Sequence, residues 1–377
     1  MKLTLFSLLS AGLLFNACAQ GPVIEKYGHQ KQTHFELNDF LLDNKDLDAA
    51  VEKIYATLDD TAIVAQLIMP AVGRLGQAKS TIDQHIQDRV IGGVLMLNGT
   101  KDEFKAWITD FEQQNKHLEN LPFLYSADAE PSLVNRKILG STLVKKANEL
   151  KTDDEVRQCA NTISKDLNDI GINYNFAPVV DMSSNSTVGY RGFGADSRNI
   201  IPWSAVFISE TQTNGIIATA KHFPGHGLVS GDTHKSLQVI NGQLKEIENY
   251  PPLIAEGLLS IMVAHIAVEN NPEFNTNGLP STCSKSIVTN LLKEQFGFKG
   301  LIVTDAMNMG GVVAVPEAAL KAIEAGCDII LMPVNAKVTH DQILTKYRKD
   351  AAFKSQVDLA AKKVIRMKIA LGLIDVN

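Results

Sequence analysis

From residue 66 to residue 333 the chain repeats one pattern: a short run of consecutive apolar residues, then a longer stretch with apolar positions at helical spacing. The apolar runs cover residues 66–70, 92–98, 123–128, 174–181, 216–222, 261–267, 301–305 and 328–333. Helical spacing marks residues 102–119, 153–169, 284–296 and 316–325, and residues 355–373 read as a last helix. A strand without apolar/polar alternation has to be covered on both faces, as happens in parallel sheets flanked by helices. Eight such units predict an α/β protein formed as a single (β/α)8 TIM barrel.

Several of the runs end in a residue able to do chemistry: Asp128, Asp181, Lys221-His222, His265 and Asp305. In a barrel of this kind the C-terminal strand ends and the loops after them build the active site. The densest stretch is Lys221-His222-Phe223-Pro224-Gly225-His226-Gly227-Leu228-Val229-Ser230-Gly231-Asp232-Thr233-His234, which holds three of the nine histidines. Its proline and three glycines forbid a helix, so it is expected to be a long shaped loop after a strand. Asp232 and His234 are close enough for the carboxylate to bond an imidazole nitrogen, the arrangement that proton transfer near neutral pH requires. Asp305 closes the run 301–305 and by itself reads equally well as a helix N-cap; a proton donor opposite it makes it a nucleophile candidate.

An apolar share of 45% and a charged share of 21% suit one large core. The formal net charge is −6, and no five or six Lys or Arg stand together. That argues against nucleic acid as a partner and for a neutral or mildly charged substrate. Cys159, Cys283 and Cys327 are far apart and are expected to be buried free thiols. His222, His226, Asp232 and His234 are donors that zinc or iron accepts, and a metal-dependent hydrolase is one rival reading; without a helical His-Glu-x-x-His pattern, neither a metal nor a cofactor is expected. At the N-terminus, Lys2 precedes an apolar run at residues 3–15, too short to span a bilayer, as in a signal peptide. Two cleavage patterns fit: Ala17 and Ala19 suit a cut before Gln20, while Phe15-Asn16-Ala17-Cys18 resembles a bacterial lipobox in which Cys18 is lipidated. The expected organisation is a signal segment at 1–19, a tether at 20–46 and one catalytic domain at 47–377. The exported protein would be periplasmic or an outer-membrane lipoprotein, touching the membrane only through Cys18.

These residues together resemble glycoside hydrolase family 3, in its single-domain β-N-acetylhexosaminidase branch. The resemblance runs from about residue 50 to residue 373 and rests most heavily on Lys-His-Phe-Pro-Gly-His-Gly followed by Asp-Thr-His at 221–227 and 232–234. Thr304-Asp305 looks like the family's nucleophile motif, Asn175-Phe176-Ala177-Pro178-Val179-Val180-Asp181 like a strand signature, Met262-Val263-Ala264-His265 like the sixth strand, and Tyr190-Arg191-Gly192-Phe193-Gly194 like the loop that carries a substrate-binding arginine. The resemblance implies a carbohydrate substrate and a retaining double displacement. Asp305 would be the nucleophile and His234, held by Asp232, the acid and base. Asp128, Arg191, Lys221, His222 and Arg136 would bind the sugar. Two departures stand out: Pro131-Ser132 replaces the family's Gly-Gly between Asp128-Ala129-Glu130 and Arg136, and no proline follows His234 closely. A β-glucosidase, a glycoside phosphorylase on the same scaffold and a non-catalytic glycan-binding lipoprotein are the remaining alternatives.

Overall fold

A computed structural model describes residues 35–182, 185 and 188–376. Cys18 and the signal segment lie outside them. The central strands are β1 (Ile68–Met69), β2 (Ala71–Val72), β3 (Gly93–Met96), β4 (Leu124–Ala127), β5 (Tyr174–Asn175), β6 (Ile217–Phe223), β7 (Ser260–Val263), β8 (Leu301–Thr304) and β9 (Ile330–Leu331). β2 through β8 form a seven-stranded parallel sheet in which every strand pairs with its chain neighbours. β1 pairs with β9, Ile68 against Ile330, and a parallel bridge joins Val303 to Ile329. All eight expected apolar runs contain strand. The first ends at Pro70, which has no N–H to give a ladder, and β2 follows it directly, beyond the expected run. The run 261–267 is divided: its second half forms Ile266–Glu269, which leaves the sheet to pair with Gln238–Asn241.

Alternate residues of each strand feed different cores, which is why the runs are apolar throughout. Met69, Leu95, Ile217, Met262, Leu301, Val303 and Leu331 join one cluster. Ile68, Val94, Ala218, Ile261, Ile302 and Ile330 face the helices in the other. Among those helices, Lys101–His117 starts from a capping box of Thr100 and Glu103, and Asp153–Ile170 starts from a Thr152 cap and stops at Gly171, φ 97°. The expected helix at 284–296 is a wide π-helix, Ser286–Gln295.

The expected tether is too long. Residues 35–46 are folded: a 3-10 turn spans Leu37–Leu41, and helix Lys45–Tyr55 begins within the same stretch. Leu37 and Phe40 join the inner cluster beside Val364 and Met367 of the C-terminal helix Ala351–Ala370. That helix approaches the residues that precede the strands, since Lys368 Nζ donates to Gln66 Oε1 at 2.6 Å and to the Gly92 carbonyl at 2.9 Å. The two segments thus cover the end of the inner core opposite the strand C-termini. The buried residues Phe35, Leu37 and Phe40 are too few to mark this in a mostly polar stretch. Among the described residues no helix is long and apolar enough to cross a membrane.

Candidate active site

At the C-terminal strand ends lies a cavity of 710 Å³ lined by Asp128, Arg136, Arg191, Lys221, His222, Asp232, His234 and Asp305, while Asp181 and His265, which also end apolar runs, are not in its lining. These positions span 178 residues of chain (305 − 128 + 1); the parallel topology alone gathers them.

One wall is a charge network. The Lys221 ammonium is 1% exposed and donates to Asp128 Oδ1 at 2.8 Å while lying 2.7 Å from Glu130 Oε1. Arg191 clamps the same Glu130 through two parallel bonds of 2.8 and 2.5 Å, and Lys137 donates to Asp128 Oδ2 at 2.5 Å. Burial would raise both carboxyls, but the cations win: Lys137 and Lys221 hold Asp128 well below the ordinary range, and Arg191 and Lys221 hold Glu130 at about 2. Burial likewise opposes the charge on Lys221, yet Asp128 and Glu130 keep its pKa raised. The network is therefore ionised at neutral pH, three cations against two carboxylates. Asn175 positions it from β5 by accepting from the Ala129 N–H at 3.1 Å and donating to the Ala129 carbonyl. The Ser132 hydroxyl donates to the Tyr190 carbonyl at 2.7 Å and accepts from the Ala147 N–H, tying the two loops together. Arg136 sits exposed at the rim and donates to the Tyr190 hydroxyl at 3.0 Å.

The histidine loop is organised from below by two buried carboxylates. Asp181 Oδ1 accepts the backbone N–H groups of His222 (3.1 Å) and His226 (2.9 Å), and its Oδ2 accepts His222 Nδ1–H at 2.6 Å. Burial opposes its ionisation, but the two imidazoles keep its pKa lowered. Glu246 accepts N–H groups from Met182 (2.7 Å), Gly227 (3.0 Å) and Leu228 (3.2 Å). Its burial and the nearby Asp181 push it up to about 8 despite those donors. Gly225, φ 136°, is required here because a Cβ would lie 2.6 Å from that of Glu246. The peptide bonds Ala177–Pro178, Lys221–His222 and Phe223–Pro224 are cis.

His226 is buried and bonded to Thr233 at 2.9 Å, so it supports the loop; burial lowers its pKa. His265 donates from Nε2 to the Ala306 carbonyl at 3.0 Å and accepts at Nδ1 from Thr282, which fixes the turn after Asp305. Among the described residues no three His, Cys, Asp or Glu side chains gather as a metal-holding group. Cys159, Cys283 and Cys327 are buried free thiols.

Asp305 follows β8 and is succeeded by turns, the next helix being Ala318–Ala325, so it caps no helix. Burial would raise its carboxyl; the imidazoles of His222 and His265 and the Ala306 N–H hold it below the usual range. An ionised, partly desolvated carboxylate at a cavity wall is suited to nucleophilic attack. His234 differs from the rest of the site, with a side chain 62% exposed. Its Nδ1–H donates to Asp232 Oδ1 at 2.9 Å, which leaves Nε2 to exchange protons with a ligand. Burial opposes ionisation of Asp232, but the His234 backbone N–H and ring keep its pKa lowered. The loop is docked on the turn after Asp305, because Gly310 and Gly311 donate to the carbonyls of His234 and Thr233 at 3.0 and 2.9 Å. A Cβ on Gly310 would overlap the Lys235 carbonyl, so the glycine permits the approach.

Fold and site define a parallel-sheet α/β domain that presents carboxylates, imidazoles and paired cations to one cavity. The chain belongs to glycosyl hydrolase family 3, whose N-terminal domain matches residues 57–367. It is 28% identical over 304 residues to a beta-N-acetylglucosaminidase/beta-glucosidase of Cellulomonas fimi, covering 75% of this chain but only 53% of that one. With beta-hexosaminidase LpqI of Mycobacterium tuberculosis the identity is 26% over 343 residues, 84% of each chain. The solved structure of a glycoside hydrolase family 3 beta-N-acetylglucosaminidase from Paenibacillus superposes with TM-score 0.77 at 25% identity, over 84% of this chain and 63% of that one.

Glu130, Asp181 and Glu246 are the structural carboxylates that the sequence reading did not assign to the site. Glu130 stands two residues from Asp128 and Asp181 closes an apolar run, so both carried a signal. Glu246 carried none.

Proposed function

We propose that the protein is a retaining glycosidase that hydrolyses terminal N-acetyl-β-D-hexosaminides of cell-wall or chitin-type oligosaccharides. The observation that carries this reading is the pairing of an ionised Asp305 with the exposed Asp232–His234 dyad across one cavity. The similarity to relatives named β-N-acetylglucosaminidase or β-hexosaminidase supports the sugar. We also take the eight strand units to close into a full (β/α)8 barrel, supported by the β1–β9 pairing and the Val303–Ile329 bridge.

In the first step the Asp305 carboxylate attacks the anomeric carbon; the bond to the leaving oxygen breaks, and that oxygen takes the proton of His234 Nε2. In the second, water loses a proton to the same nitrogen and displaces Asp305 with a second inversion. The usual retaining pair is two carboxylates about 5 Å apart; a histidine on an exposed loop replaces one of them here. Asp128, Lys221, His222 and Arg191 bind hydroxyl and acetamido groups. Lys221 has two of three donors committed to carboxylates, and His222, held at Nδ1, offers Nε2. Their geometry is set before the ligand arrives, so little reorganisation opposes transition-state binding. We further place the enzyme outside the cytoplasm, anchored through lipidated Cys18.

The test is p-nitrophenol release from N-acetyl-β-glucosaminide and β-glucoside, with and without phosphate, for the wild type and Asp305→Ala. Expected are faster cleavage of the N-acetyl substrate, no need for phosphate, and a loss of at least about a thousandfold in a folded mutant. Wild-type rate in Asp305→Ala would sink the nucleophile assignment, and a strict phosphate requirement would make the enzyme a phosphorylase.

A further inference from the structure

The cavity at Asp305 continues into a side cleft of 240 Å³. Leu75, Asn308 and Met332 line both spaces, and Gln77, Pro333 and Val334 help to complete the cleft. Its lining has no charged side chain. The opposite wall of the main cavity is the Asp128–Lys221–Glu130–Arg191 network, carried on the ends of β4 and β6 and the loop after β5. The cleft instead comes from the loops after β2, β8 and β9, and it begins three residues beyond Asp305, at Asn308.

Two features set the cleft apart from ordinary surface. Leu75 and Val334 are 70% and 67% exposed, large apolar side chains held in water at the rim. Leu75 is not free to fold away, for its turn is tied by the Gly76 N–H to the Gly73 carbonyl (3.0 Å), the Gln77 N–H to Ala71 (2.8 Å) and the Arg74 N–H to Asn98 (2.9 Å). Met332, shared by the two spaces, has φ 47°, a left-handed backbone that side chains disfavour and that recurs at ligand sites. Apolar side chains on a rigid rim, with the amides of Asn308 and Gln77 among them, match a pyranose ring, which has apolar faces and a hydroxyl edge. A carboxylate on the ring would meet no cation in the lining of the cleft itself, and an unpaired charge is penalised as it loses water.

We infer that this cleft is the aglycone subsite, and that it takes an uncharged sugar ring in preference to one carrying a carboxylate. The inference rests on the glycosidase reading. It identifies the substrate as a neutral N-acetylhexosamine oligosaccharide and disfavours one whose second ring bears an acidic ether.

The experiment measures kcat/KM on three compounds: β-1,4-linked N-acetylglucosamine disaccharide, the same disaccharide with a 3-O-lactyl carboxylate on the reducing ring, and N-acetyl-β-glucosaminyl fluoride. The fluoride leaving group is too small to reach the cleft, so it reports the glycosidase reading alone. Wild type is expected to favour the neutral disaccharide at least about tenfold, and Val334→Lys and Leu75→Lys, each at an exposed position, to cut that ratio at least about fivefold. Turnover of the fluoride together with equal rates on the two disaccharides, or a ratio unmoved by both lysines, overturns the subsite. No turnover of any of the three overturns the glycosidase reading, and the subsite with it.

Discussion

Replacing His234 by alanine is expected to remove rate without removing stability. The imidazole is 62% exposed and its partner Asp232 30% exposed, and an exposed pair of this kind contributes about 0–1 kcal/mol to folding. For a domain of this size that moves Tm by no more than about 4 °C. A positioned acid, by contrast, contributes about 10²–10⁴ in rate, or about 2.7–5.5 kcal/mol of barrier. The loss should depend on the leaving group. A sugar alcohol cannot depart without a proton and should show all of it. A 2,4-dinitrophenolate departs as the anion, so its cleavage step should fall by no more than about fivefold, with the covalent intermediate accumulating because no base activates water. The assay is kcat and kcat/KM across aryl N-acetyl-β-glucosaminides of graded phenol acidity, with and without azide, the first reporting the water-attack step and the second the cleavage step. The mutant should depend more steeply on phenol acidity than wild type, and azide, a nucleophile that needs no base, should restore turnover from the space the ring vacated. A loss of equal size across the series, with no azide rescue, would refute the assignment and direct attention to His222.

Three further outcomes are expected. Burial lowers the pKa of Lys368 to about 7, so above pH 7 the unfolded chain, with an ordinary lysine, binds more protons than the folded one. Stability therefore rises from pH 7 toward 10.5, by at most roughly 1.4 kcal/mol per unit; urea melts at pH 7 and 9 should show the rise, and Lys368→Met should flatten it. Glu246→Gln is expected to lower kcat about tenfold with little change in KM, because a misplacement of the acid loop far from the sugar contacts acts on the chemical step; hydrogen exchange at Met182, Gly227 and Leu228 should speed up in the same variant, and unaltered exchange would count against the anchoring role. Cys18→Ser should abolish metabolic incorporation of labelled palmitate, and a wild-type protein without label would remove the lipid anchor from the proposal.

The sequence by itself carried the parallel α/β architecture and most of the candidate residues that the fold brings to one cavity. Runs such as 216–222 and 301–305 have no alternation because both faces of a central strand are covered, and the 221–234 loop concentrates histidine, glycine and aspartate as packing alone does not require. Asp128, Lys221, Asp305 and the Asp232–His234 pair were legible for that reason. What the sequence could not convey is which partner each charge takes. Glu130 is the shared counter-ion of Lys221 and Arg191, and Glu246 receives three N–H groups from two loops that precede it by about twenty to sixty residues; no local pattern encodes contacts of that separation. The inner end of the domain escaped for a related reason. Leu37 and Phe40 belong to a short stretch, Phe35 to Leu42, whose few apolar positions show neither strand alternation nor a full helical repeat, and only the inner core, left open beneath the strands, gives them something to bury against. Tertiary structure likewise decided that His226 and His265 support the loops while His234 meets solvent. A histidine's role is set by what lies beside each ring nitrogen, and those neighbours come from different strands.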